Sequence, residues 1–143
     1  MVGIIGDTIK KLGNAPYGAF RVVIGLVFML HGAQKYGLMG DGTTIAKFAG
    51  LFHLPLALAY AAATIELVGG ACILLGLFTR SAAFLGSVVM ITALAIVHFP
   101  NGINPLANQG ELPLLFLASF LVIMVNGARA WSLEKAILRH DKF

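Results

Sequence analysis

The sequence predicts an all-α fold: a bundle of four transmembrane helices with short interfacial helices at the N-terminus, in the first outer loop and at the C-terminus. Three observations predict it. Hydrophobic residues fill 59% of the 143 positions and charged residues only 11%, against about 25% charged in an ordinary soluble chain, so a fold in water would lack a polar shell. Four apolar stretches approach the ~20 residues that cross a bilayer at ~1.5 Å rise each. The segments between them are short, and residues 1–143 read as one membrane domain with no soluble part.

At the N-terminus, "IIGDTIKKLGNAP" places Ile4, Ile5, Thr8, Ile9 and Leu12 on one helical face with Lys10 and Lys11 beside it, the pattern of a helix lying in the inner interface. The first span is expected over 17–37. A cleaved signal peptide is its alternative, because Lys10, Lys11 and Arg21 precede the apolar run; the run is too long for one, and no small-x-small cleavage pattern follows. In "MGDGTTIAKFAGLFHLP", Thr43 or Thr44 caps a short helix with Ile45, Phe48 and Phe52 at helical spacing, covering the outer mouth of the bundle. Spans over 55–77 and 81–99 follow, joined at residues 79–80 by a turn tight enough for a helical hairpin. "PNGINPLANQG" is an irregular outer loop, and the fourth span is expected over 112–128. Ser132 then caps "LEKAILRH", with Leu133, Ala136 and Ile137 towards the membrane, Lys135, Arg139 and His140 in water, and Trp131 at headgroup level.

Basic residues orient the chain. With both termini cytoplasmic, eight of the ten Lys and Arg fall on the inner side and only Lys35 and Lys47 outside, as expected for a prokaryotic-type inner (cell) membrane. The net charge of +4 is thereby explained by the inner flanks, and no compact basic face interleaved with aromatics exists to track nucleic acid. The single Cys72 lies in the second span, so it forms no intramolecular disulfide, and no CxxC pair is present.

Polar residues inside the spans point to a site. Gly18, Gly25 and Gly32 recur along one face of the first span, with Arg21, Phe28 and Lys35 between them and His31 on the flank. Small residues there let a neighbouring helix approach closely. In the second span Glu66, Gly69, Gly70, Ile73 and Gly76 share a face, with Glu66 near mid-membrane, where a carboxylate costs roughly 2.5–3.5 kcal/mol. By depth, Glu66, His31, Lys35, His98 and Glu111 converge in the outer half of the bundle; Glu66, His31 and Lys35 are the candidate catalytic groups, with His98 and Glu111 the candidate substrate-binding ones. Plainer readings stand beside each: snorkelling or capping for Lys35 and Glu111, an interfacial position for His98, a structural role for His53, a purely structural buried pair for Glu66, and topology or ion-pairing for Arg21.

Taken in order, "RVVIGLVFMLHGAQKYG", "IELVGGACILLGLFTR", "ALAIVH" and "GELPLLFLASFLVIMVNGARAWSLE" resemble the DoxX family of small four-helix membrane proteins, from Arg21 to Glu134. The His-Gly-x-x-Lys block at 31–35, the Glu-Leu-x-Gly-Gly block from Glu66 and the Gly-Glu at 110–111 carry the resemblance. It implies a place beside oxidoreductases, as a membrane subunit in thiosulfate:quinone or thiol and oxidative-stress chemistry.

A quinone is the ligand this suggests, since a quinone needs an apolar slot, hydrogen-bond donors and proton-relaying groups. No nucleotide fingerprint or Cys cluster supplies an electron carrier, so a partner oxidoreductase is expected. Haem b on His31 and His98 is disfavoured, and no metal site is assigned, because no local HxxxH or HxxE spacing exists. The leading expectation is a redox-associated subunit binding quinone or a small thiol or sulfur compound in a pocket of the outer half. A non-catalytic scaffold or assembly factor is the alternative, and a small transporter or proton path, which four spans permit only in a homo-oligomer, is the third.

Overall fold

Proline and glycine mark the helix ends. Helix α1, Ala15–Lys35, takes Pro16 in its first turn, where a missing N–H costs nothing. It stops at Gly37, whose φ of 75° lets the Leu38 N–H reach back to the Ala33 carbonyl at 3.0 Å. Helix α2, Ile45–Leu51, is capped by Thr44, which accepts from the Lys47 N–H at 3.3 Å. It closes in the same way, with His53 at φ 52° in the position glycine usually holds and the Leu54 N–H on the Ala49 carbonyl at 2.9 Å. The His53 side chain is exposed and does not line the chamber.

The computed structural model describes residues 13–138, so the helix expected before Gly13, and Arg139 and His140, lie outside the described residues. Among the described residues every regular element is helical and there is no strand. Helices α3, Leu56–Leu75, and α4, Thr79–Asn101, join α1 as three helices long and apolar enough to cross a membrane; α5, Glu111–Asn126, is apolar but only 16 residues long. A six-residue helix α6, Leu133–Leu138, ends the described chain. Within α3, residues Ile65–Gly69 form a π-turn, and within α4, Leu94–His98 form another before a 3₁₀ turn at Phe99–Asn101.

Packing follows the small residues. A Cβ on Gly70 would lie 2.6 Å from Met29 Cα, one on Gly32 2.7 Å from Leu67 Cα, and one on Gly25 2.8 Å from Leu74 Cα, so α1 and α3 meet backbone to backbone. Gly86 of α4 receives the Phe120 ring of α5 in the same way. Phe28, Ile73, Phe120 and Ile123 are fully buried at the centre. The rings of Phe28, Phe116 and Phe120 lie 4.7–5.6 Å apart. Val23, Val68, Phe84, Leu115 and Val125, by contrast, are each more than half exposed. Lipid suits such outward faces, and the chain is a multi-pass membrane protein; between its helices the attraction is close van der Waals packing rather than escape from water.

The end of the bundle carrying residues 76–78 and 127–132 is locked by Arg21. Its side chain is fully buried, with Nε on the Ala128 carbonyl (3.1 Å), one terminal nitrogen on the Ile73 and Leu74 carbonyls, and the other on Ala130 (3.1 Å) and Trp131 (3.0 Å). Of the two expectations for Arg21, topology or ion-pairing, the described residues show no ion pair; the guanidinium neutralises carbonyl dipoles at a helix C-terminus and in the following loop. Beside it, Ser132 Oγ accepts from the Lys135 N–H, the expected cap, and donates to the Gly76 carbonyl at 3.0 Å. Glu134 is also buried, at 3% exposure, and accepts from the Phe78 N–H at 3.0 Å.

Candidate functional site

At the opposite end, which carries the 36–55 and 102–110 connections, the helices part around a chamber of about 130 Å³. Its polar walls come from three helices. His31 and Lys35 are one turn apart near the end of α1, Glu66 is the second residue of the π-turn of α3, and His98 closes the π-turn of α4. A wide turn displaces one residue from the regular helical pattern and re-aims its neighbours, which is why π-turns recur at functional sites. Phe28 and Phe116 form aromatic walls, and Phe48 and Phe52 of α2 close the chamber from the loop side. Four of the five residues chosen by depth therefore meet.

Glu111 does not join them. It is exposed in the first turn of α5, and the wall at that level is Leu112 and Pro113. Each residue along a helix turns the side chain by about 100°, enough to take Glu111 off the face that Pro113 and Phe116 present.

Lys35 and Glu66 form an ion pair, with side chains 13% and 6% exposed. The Lys35 ammonium also lies over the Phe48 ring, 4.7 Å from its centroid. Among the described residues nothing takes the other two ammonium N–H groups or the second Glu66 oxygen. His31 meets the edge of Phe116 at 5.9 Å and makes no hydrogen bond to a described side chain or carbonyl. His98 is held through Nδ1, 2.9 Å from the Asn108 carbonyl. Because a carbonyl only accepts, Nδ1 carries a proton, and in the neutral ring Nε2 is left as an acceptor. Asn108, itself buried, is fixed by the Gly102 carbonyl (2.6 Å) and the Gly110 N–H (2.8 Å).

The chamber thus offers ammonium donors, a carboxylate oxygen and two imidazoles inside an apolar, aromatic shell. No group of three or more His, Cys, Asp and Glu among the described residues is arranged to hold a metal ion. Sequence reasoning missed the aromatic wall formed by Phe116, the part played by Pro113 and both π-turns; local composition signals none of these.

The DoxX family model matches residues 18–99. An uncharacterized protein of Haemophilus influenzae is 36% identical over 122 residues, covering 83% of this chain and 88% of its own length. A Bacillus subtilis protein named "Putative oxidoreductase CatD" is 31% identical over 122 residues, covering 85% of this chain and 87% of its own. No solved structure gives a significant match. With a family match across more than half of the chain and relatives aligned along most of their length, the chain belongs to the DoxX family.

Proposed function

We propose that the chain is a redox-associated membrane subunit that binds a quinone or a small sulfur compound in the chamber around Lys35 and Glu66, and works with a separate oxidoreductase that exchanges the electrons. In this reading residues 1–143 are one domain of four spans, with both termini cytoplasmic in an inner membrane and the chamber in the outer half. The 16 residues of α5 rise about 24 Å, short of the ~30 Å hydrocarbon core, and a short span is accommodated by local thinning. The helix at 45–51 then lies at the outer interface, and the C-terminal helix at the inner one.

One observation carries the reading: the buried ion pair keeps unused hydrogen-bonding capacity facing a cavity. A pair serving structure alone gains by being enclosed and saturated. Here the Lys35 ammonium is placed to donate to a ligand oxygen or to a sulfur anion, Glu66 fixes the ammonium, and His31 and His98 bring two imidazoles to the same space. Phe28 and Phe116 add aromatic carbon to the chamber lining. A bound quinone would supply two-electron chemistry that no residue of this chain provides. The name carried by the Bacillus subtilis relative points in the same direction.

The test is extraction of bound quinone from gently purified protein, with a reduced-minus-oxidised spectrum, repeated for Glu66→Gln and His31→Ala. Stoichiometric quinone that both substitutions remove, with membrane insertion unchanged, is the expected result. Substitutions that lower only the abundance of an assembled complex would replace this reading with the non-catalytic scaffold.

A further inference from the structure

A second cavity, of about 150 Å³, adjoins the chamber and shares Phe48, Glu66, Ala93 and Val97 with it. It runs as a groove between α3 and α4. Ala61 and Ile65 form one wall, and Val88 and Thr92 the other. Its polarity is graded. Glu66 stands at the inner end, while the one hydroxyl along it, on Thr92, is turned to the Val88 carbonyl at 2.8 Å. The outer rim is lipid-facing, with Leu58 37%, Val88 46% and Ile96 46% exposed. Small side chains, Ala61, Ala62 and Ala93, hold the helices' facing surfaces open here.

The chamber has a different opening on its other side. Past Phe52, Val97 and His98 it meets a space lined by Asn101, Asn108 and Gln109, a polar mouth suited to water and protons. A ligand soluble in water would need only that mouth. The apolar groove, continuous with the ion pair and open along the bilayer, fits a different shape: a compact polar head with an apolar chain attached.

From this continuity we infer that the groove between α3 and α4 receives the apolar chain of a bilayer-dissolved amphiphile, which reaches the chamber sideways from the lipid with its head towards Lys35 and Glu66. The head assignment rests on the proposed function, whereas the chain site does not. Moving a chain from lipid into an apolar groove exchanges one hydrocarbon environment for another, so little hydrophobic gain is expected. The groove acts by position, holding the chain so that the head is aimed at the chamber, and the experiment therefore reads position rather than affinity.

The protein in lipid nanodiscs would be photolabelled with a benzoquinone carrying a decyl chain that ends in a diazirine, and with the same chain on a simple alcohol. Labelled peptides would be mapped by mass spectrometry. Label concentrated on residues 58–65 and 88–96, about ten-fold denser than on the outward face of α5, and removed by Ala61→Trp or by Thr92→Phe, is the expected result. Label spread evenly round the lipid face, or left in place by both groove-filling substitutions, overturns the inference. Dependence on the head is a separate readout. If the groove is labelled equally by the alcohol and by the quinone, and Glu66→Gln changes neither, the chain site stands and the quinone reading falls.

Discussion

Two cations of α1, fourteen residues apart in sequence, Arg21 fully buried and Lys35 partly buried, are treated in opposite ways at the two ends of the bundle. Arg21 has five N–H groups and makes five hydrogen bonds, all to backbone carbonyls. Lys35 has three and makes one, to a carboxylate, beside open space. A saturated cation in a filled site stabilises; an unsaturated one beside a cavity is available to a ligand. The difference teaches that burial of charge in a membrane protein does not by itself mark a functional site, and that unused valence next to accessible volume is the better sign.

Substitutions should separate the two ends by their effect on stability. Arg21→Met takes a donor from five carbonyls, of which only that of Ile73 keeps another among the described residues, the Gly76 N–H, and is expected to cost about 3–5 kcal/mol, read as loss of folded protein or a lowered Tm in detergent. Arg21→Lys should recover only part of this, since an ammonium cannot reach five acceptors. Next, Gly70→Val should force α1 from α3 and cost about 1–3 kcal/mol, measured the same way, because its Cβ has no room against Met29.

Removing the Thr44 cap with Thr44→Ala should cost about 1 kcal/mol locally. Its clearer sign would be faster ligand release, since α2 carries Phe48 and Phe52 over the chamber. The smallest effect on stability is expected from Lys35→Met combined with Glu66→Leu, which removes the pair whole and should leave Tm at or above that of wild type while ligand binding disappears. A stable Arg21→Met variant, or an unfolded Lys35→Met/Glu66→Leu variant, would reverse the comparison.

Much of the fold was legible because bilayer-spanning helices announce themselves by composition and length. The glycine stripe on α1 and its partner on α3 were legible too, and the close approaches at Gly25, Gly32 and Gly70 bear them out. His31, Lys35, Glu66 and His98 could be placed together by depth, since position along a span fixes height in a bundle. Angle around the helix is harder to read, and Glu111 shows it. The partners of Arg21 were illegible for a different reason: three of the five are carbonyls 107–110 residues away, and carbonyls leave no mark on side-chain identity. Glu134, read only as part of a helix with a lipid-facing side, is turned inward to the backbone at Phe78 for a similar reason.

The π-turn at Ile65–Gly69 gives α3 two phases. Before it, Ala59 and Ala63 face Ile45 and Ala49 of α2; after it, Gly70 meets Met29 and Ile73 enters the central core. A regular helix of the same length, one residue out of step, could seat only one of these halves at a time. The number of residues in α3 is therefore as much a part of the design as their identity. Deleting a single residue from 65–69 would let the turn close to a regular helix with both seams still in phase, at the cost of re-aiming Glu66, whereas a deletion elsewhere in α3 would rotate one seam against the other. In this chain changes of length belong in the connections, and the long helices admit exchanges of side chain far more readily than a change of count.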